Sequence, residues 1–307
     1  AHPVAPVGWL FAMLLLTVIV VAGGVRRGIE TVNRILMPLL ALSIIVLAVY
    51  AATLPGSSKG WAFLLSPDWA AVLRGKVVVA AIGQAFFSLG VGMAVFITYS
   101  AYMGPGTRIP RSAVAIAVGD TLFAVVAGLA IFPAVFAFGM NPAAGPELAF
   151  ITLPQIFLVM PYGRVVGIVF FGLLTAAALT SMMSLLEVPV ASLLHRSPLS
   201  RRRAAILTGC AAFVLGIPSA LSFGLLSDVR IAGDSVFDFI NQGVSNYLLP
   251  LGGVLVCLYA GWFLSRKDIL SASGLSGTFA GGVWYWLLRL VAPIMIFLIL
   301  LDTVGEL

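Results

Sequence analysis

From Val77 to Thr107 the chain carries no charged side chain, and no other stretch restricts the possible folds as strongly. A bilayer core takes roughly 20 apolar helical residues, so this segment has length to spare for a crossing. Its centre is nevertheless a poor helix. Glycine costs about 1 kcal/mol relative to alanine in a helix interior, and Gly90 and Gly92 follow Ser88 near mid-depth. Non-helical backbone is tolerated there only when buried in protein or lining a cavity, because lipid cannot satisfy freed N–H and C=O groups. Two arrangements meet that condition. One is a discontinuous helix whose broken centre offers carbonyls to a cation and amides to an anion. The other is a continuous helix whose glycines serve close packing.

The remaining sequence has the same character. The chain of 307 residues is 61% hydrophobic and only 9% charged, which no soluble domain of this length would show. It is expected to be a polytopic membrane protein. The net charge of +6 then carries no implication of nucleic acid, because basic residues in such proteins mark cytoplasmic loops. Cys210 and Cys257 both fall inside apolar runs and argue for neither a disulfide framework nor a metal site. Ala1 to Gly24 lacks the basic region of a signal peptide and opens almost directly into an apolar run. The expectation is a fragment that has lost its N-terminal part.

Apolar runs bounded by charges and turn residues give eight expected spans, at Val7–Val25, Thr31–Thr53, Val77–Met103, Ser112–Phe138, Arg164–Leu194, Ala204–Phe223, Asp238–Leu264 and Thr278–Leu301. Pro142 to Met160 is expected to hold re-entrant or surface helices rather than a span. Alternating the connecting loops puts eleven of the 17 basic residues on one side and five on the other, with Arg289 inside the last span. That bias places the Arg201–Arg203 loop in the cytoplasm and the first residue outside.

Few residues inside these spans can carry chemistry. Asp120 lies nine residues beyond Arg111, roughly 13 Å along a helix, and an intramembrane carboxylate marks an ion or proton path. An interfacial aspartate at a helix end is the alternative. Ala177, Thr180 and Ser181 have an i, i+3, i+4 spacing, which sets a carbonyl and two hydroxyls on one helical face. Such a face can form part of a sodium cage, or make ordinary helix–helix contacts. Glu187, on the same helix, is either a gating group or a packed, hydrogen-bonded carboxylate. Asp238 either complements a helix dipole or forms half of an external gate. His195 and Arg196 are expected to meet lipid headgroups. His2 and His195 are far apart, and there is no nucleophile elbow, phosphate loop or metal pair. An enzyme is not expected.

Several motifs in order carry a family resemblance. They are Gly28-Ile29-Glu30 with Asn33 and Met37-Pro38, Gly83-Gln84-x-Phe86-Phe87-Ser88-Leu89, Thr98-Tyr99-x-x-Tyr102, Phe150-Ile151-Thr152-Leu153-Pro154, Leu179-Thr180-Ser181 and Asp238-Phe239. Across nearly its whole length the chain resembles the neurotransmitter:sodium symporter family, the LeuT-like transporters. The resemblance implies an all-α membrane protein, a LeuT-type inverted-repeat helical bundle. The eight spans present would be the family's fourth to eleventh helices, in a single transporter domain without its first three.

The same resemblance implies roles residue by residue. Phe86, Phe87, Ser88, Gly90 and Met93, with Met182 and Leu185, would line the substrate site. Phe87 would be an aromatic lid, and the Phe87 and Ser88 carbonyls would receive an ammonium group. Ser88 and Asp120 would hold a first sodium, and Ala177, Thr180 and Ser181 a second. Asp238 would be the outer gate carboxylate and Tyr102 the inner gate tyrosine. Asp120 stands where many members have asparagine, which should make bound chloride unnecessary. Gly90 replaces a serine and widens the pocket, and His195 stands where an inner-gate aspartate is expected. Gly90, Met93 and the acidic sodium ligand together resemble bacterial members that accept bulky, hydrophobic amino acids. The implied function is sodium-coupled amino acid symport across the cell (inner) membrane, with sodium ions but no organic cofactor. The implied partners are substrate, sodium, lipid and the missing N-terminal helices, with no nucleic acid. A proton-coupled carrier of the same fold and a channel or non-transporting scaffold are the rival expectations.

Overall fold

A computed structural model describes residues 4–104, 107–142, 150 and 153–305. The described chain is helical apart from one two-residue hairpin, Arg230–Ile231 against Asp234–Ser235. In order the helices are α1 (Ala5–Ala22), α2 (Thr31–Ala52), α3 (Ser57–Leu65), α4 (Trp69–Val72), α5 (Gly75–Ser88), α6 (Val95–Ser100), α7 (Ile109–Ala137) and α8 (Leu153–Val159). They continue with α9 (Gly163–Arg196), α10 (Arg201–Leu221), α11 (Val236–Gln242), α12 (Leu249–Leu258), α13 (Arg266–Ser273), α14 (Phe279–Trp286) and α15 (Ala292–Val304). A π-helical turn at Val25–Glu30 leads into α2.

Among the described residues seven helical rods are long and apolar enough to cross a membrane. Two of them are continued through π-helical turns. Gly243–Leu248 and Tyr259–Phe263 extend α11 and α12 into one rod, Val236–Phe263, and Leu287–Val291 joins α14 to α15. The expected third span is the exception, divided between α5 and α6. Rod ends differ from the expected bounds where local chemistry sets them. The first rod stops at Ala22 because Gly23 and Gly24 follow, with Gly24 at φ +94°. The rod of the sixth expected span starts at Arg201 rather than Ala204, since the Ser200 hydroxyl accepts the Arg203 N–H and caps it.

The chain divides into two compact units. One contains the described parts of Ala1–Gly24, Ala70–Ala117 and Met183–Leu307. In it α1 lies along α10 over two glycines. A Cβ on Gly209 would come 2.3 Å from Val18 Cγ2, and one on Gly216 would come 3.0 Å from Leu10 Cδ2. Phe11 and Phe213 close the same seam edge to face, 5.6 Å apart. Without a hydrophobic drive between helices in lipid, small residues that permit close approach hold such pairs. A second cluster buries Phe86, Leu249, Cys257 and Ile296 where α5, α12 and α15 meet.

The other unit contains Val25–Trp69 and Val118–Met182. Its core is Ala51, Ala134, Leu153, Phe157 and Met160, with Phe170 and Phe171 packed against Phe157. Here α8, with Leu153 and Phe157 buried and Leu158 exposed, is too short to be a crossing. Residues 143–149, 151 and 152, including Ile151 and Thr152 of the fourth motif, lie outside the described residues. The short α3 docks on α7, where a Cβ on Gly60 would fall 2.4 Å from Pro133 N.

Candidate functional site

The uncharged stretch breaks where its glycines stand. Helix α5 ends at Ser88 and α6 begins at Val95, with Leu89 to Ala94 in turns between them. Three residues there adopt left-handed backbone: Gly90 at φ +65°, Gly92 at +92° and Ala94 at +58°. The turn is tied by Gly90 N–H to Phe87 O at 3.0 Å, Val91 N–H to Phe86 O at 3.1 Å and Met93 N–H to Gly90 O at 3.3 Å. The N–H groups of Gly92 and Ala94 donate to nothing among the described residues. A carbonyl has two lone pairs, so Phe87 O retains one after accepting Gly90.

Helix α12 presses against this break. A Cβ on Gly92 would come 2.4 Å from Leu249 O, and one on Gly253 would come 2.8 Å from the Phe86 ring. Glycines on both partners thus let the interrupted backbone lie directly on α12. Phe86 is buried in the α5–α12–α15 cluster and Met93 packs against it, whereas Phe87 is exposed. Ser88 ends α5 beside the break, with its residue surface exposed.

In the second unit, Ala177, Thr180 and Ser181 come together as their spacing requires. The Thr180 hydroxyl donates to Ala177 O at 2.8 Å and the Ser181 hydroxyl to the same carbonyl at 3.3 Å. Both hydroxyls therefore sit with that carbonyl on one face of α9. Three oxygens without nitrogen or sulfur make a donor set suited to a hard ion. Thr180 is buried and Ser181 exposed. Asp120 is half-buried on α7, eleven residues past Ile109, and Met182 is half-buried on α9.

Back in the first unit, two tyrosines meet α9 in register. The Tyr99 hydroxyl donates to Ser184 Oγ at 2.8 Å, and the Tyr102 hydroxyl donates to Glu187 Oε1 at 2.7 Å. Glu187 is fully buried, and Arg201 pairs with its other oxygen. The Arg201 Nε also donates to Val21 O at 2.9 Å, joining the end of α1. Glu187 is therefore the packed, hydrogen-bonded carboxylate of the two alternatives. Sequence reasoning missed Arg201 as its partner, although a cation at the first position of the next helix was a usable signal. Leu185 and His195 are exposed on α9. Asp238 sits in the first turn of α11, paired with the Ser235 N-cap. Its N–H donates to Ser235 Oγ at 3.1 Å, and the Ser235 hydroxyl donates back to Asp238 Oδ2 at 2.6 Å.

Against this geometry, a family model described as the sodium:neurotransmitter symporter family matches residues 4–307. The chain belongs to the sodium:neurotransmitter symporter family. Within the family it is 39% identical to the uncharacterized sodium-dependent transporter YhdH of Bacillus subtilis (strain 168), over 99% of this chain and 68% of YhdH. An uncharacterized sodium-dependent transporter of Haemophilus influenzae is 35% identical over 97% of this chain and 66% of its own length. The crystal structure of MhsT in complex with L-phenylalanine superposes with a TM-score of 0.89 at 47% identity, covering 99% of this chain and 69% of MhsT. The symporter chain is thus a multi-pass, all-α membrane protein with the LeuT-type inverted-repeat fold, and its family is one of sodium-coupled transporters rather than enzymes. It spans about two thirds of the length of these relatives.

Proposed function

We propose that the protein carries out sodium-coupled symport of amino acids, with hydrophobic or aromatic side chains, across the cell membrane. The observation that supports this most directly is the interruption at Leu89–Ala94, which exposes main-chain polar groups inside an otherwise uncharged rod. In this reading the Phe87 and Ser88 carbonyls receive the substrate ammonium. Phe86, Phe87, Gly90, Met93, Met182 and Leu185 shape the apolar side of the site, where a glycine at position 90 leaves room for bulk. The resemblance assigns Ser88 and Asp120 to one sodium, and Ala177, Thr180 and Ser181 to another. Asp238 serves the outer gate and Tyr102 the inner one, with Arg201–Arg203 on the cytoplasmic face. Further ligands are expected from the part of the fold that relatives carry beyond the matched length, and no organic cofactor is invoked. Substrate and sodium share oxygens, so each binds better when the other is present.

Uptake of radiolabelled phenylalanine by proteoliposomes of the full-length protein tests the reading. The expected result is accumulation under a sodium gradient and none when potassium replaces sodium. Accumulation driven equally well by a proton gradient in sodium-free buffer would instead establish the proton-coupled rival.

A further inference from the structure

An open recess of about 620 Å³ lies between the start of α7 and the end of α13, within one compact unit. Arg108 and Arg111 line it, with hydroxyls from Thr107, Ser271 and Ser273, and no carboxylate does. Among the described residues neither arginine side chain has a hydrogen bond or ion pair.

The chemistry of the recess favours an anion. Two carbonyls near the end of α13 accept bonds from its own last turn and cap. Ser271 O accepts the Gly274 N–H at 3.1 Å, and Leu270 O accepts both the Leu275 N–H at 3.0 Å and the Ser273 hydroxyl at 3.1 Å. The Thr107 hydroxyl is engaged with Gly104 O at 2.9 Å. Ser271 keeps a free hydroxyl donor among the described residues. Depth identifies the class of anion. Arg108 immediately precedes the first residue of the membrane-crossing α7, which is headgroup level. Guanidinium forks match the paired oxygens of a phosphate, and basic pockets at a membrane surface select anionic headgroups.

We propose that this recess binds the phosphate of an anionic phospholipid, held by Arg108 and Arg111 with the Ser271 hydroxyl. The proposal does not depend on the transport reading. The test is native mass spectrometry of the full-length protein from nanodiscs containing phosphatidylglycerol in phosphatidylcholine. Wild type should retain phosphatidylglycerol selectively, and Arg108→Gln with Arg111→Gln should bind it roughly 30-fold more weakly, from two contacts each worth about a factor of five. Arg230→Gln, in the distant hairpin, should behave as wild type. Equal retention of both lipids by wild type, which requires no variant to fold, would overturn the proposal. So would undiminished retention by the double variant. Displacement of the lipid by inorganic phosphate at matched concentration would reassign the recess to a soluble phosphate and overturn the lipid assignment.

Discussion

The Tyr102 hydroxyl donates to Glu187 Oε1 at 2.7 Å while Arg201 takes the other carboxylate oxygen, so a fully buried acid is satisfied on both sides. Removing one member of a buried pair leaves an uncompensated charge, at a cost of about 3–5 kcal/mol. Arg201→Ala should therefore lower the thermal unfolding temperature of the purified protein sharply. Arg201→Met combined with Glu187→Gln removes both charges and should recover most of the loss. A double variant no more stable than the single one would show that Arg201 acts mainly through Val21 O.

Gly92 is constrained twice, by φ +92° and by a position where a Cβ would meet Leu249 O at 2.4 Å. Gly92→Ala has to move the backbone off α12, and its expected cost is about 3 kcal/mol or more. Gly90 is constrained only by φ +65°, since its added Cβ would meet nothing nearer than Met93 Sδ at 3.5 Å. Gly90→Ala should therefore cost only about 1 kcal/mol. Thermal stability of the two variants side by side is the measurement; similar losses would mean that the α12 contact contributes nothing.

Much of this was legible in sequence because it is local. Glycines after a serine in an uncharged run allow either a break or close helix packing, and the structure has the break, at Leu89–Ala94. The i, i+3, i+4 spacing of Ala177, Thr180 and Ser181 was enough to unite their oxygens on one face. What the sequence hid was tertiary. Nothing about Gly252 and Gly253 in isolation says that the interrupted segment will lie on them, and Phe86 reads equally as a ligand contact or as core until α12 and α15 are in place. Arg201 was hidden for a related reason. It was grouped with a loop by charge, whereas the Ser200 cap draws it into α10 and turns it toward Glu187.

The Thr180 and Ser181 hydroxyls both donate to Ala177 O. If these oxygens ligate sodium, as proposed, Thr180→Ala in the full-length protein should weaken equilibrium binding of radioactive sodium at least about tenfold, or ~1.4 kcal/mol. Thr180→Ser, which keeps the oxygen, should retain most of the affinity. Thr175 provides the control, since its hydroxyl donates to Phe171 O one and a half turns earlier. Thr175→Ala should leave sodium binding unchanged. Equal affinities for all three variants would remove α9 from the ion site.

Arg289 lies ten residues past Phe279 in the last rod, about 15 Å along it, and among the described residues it has no acidic partner. Aromatic rings take that place. Its guanidinium stands 4.4 Å from the Trp262 ring centre, with Tyr285 at 5.8 Å and Trp286 at 5.9 Å, and Nη1 donates to the Tyr285 hydroxyl at 2.7 Å. The Trp262 Nε1–H returns a bond to Arg289 O at 3.3 Å. A Cβ on Gly261 would come within 3.0 Å of Arg289 Cα, so the two π-helical turns touch at this point. A desolvated cation–π contact is worth about 2 kcal/mol, and a compact ammonium cannot stack as a planar guanidinium does. Arg289→Lys, though it keeps the charge, should therefore cost about 1–2 kcal/mol, visible as a lower unfolding temperature in detergent. Trp262→Leu should cost a similar amount, and the double variant little more than either, since each removes the same contact. Strictly additive losses would mean that the ring and the cation stabilise the rods independently.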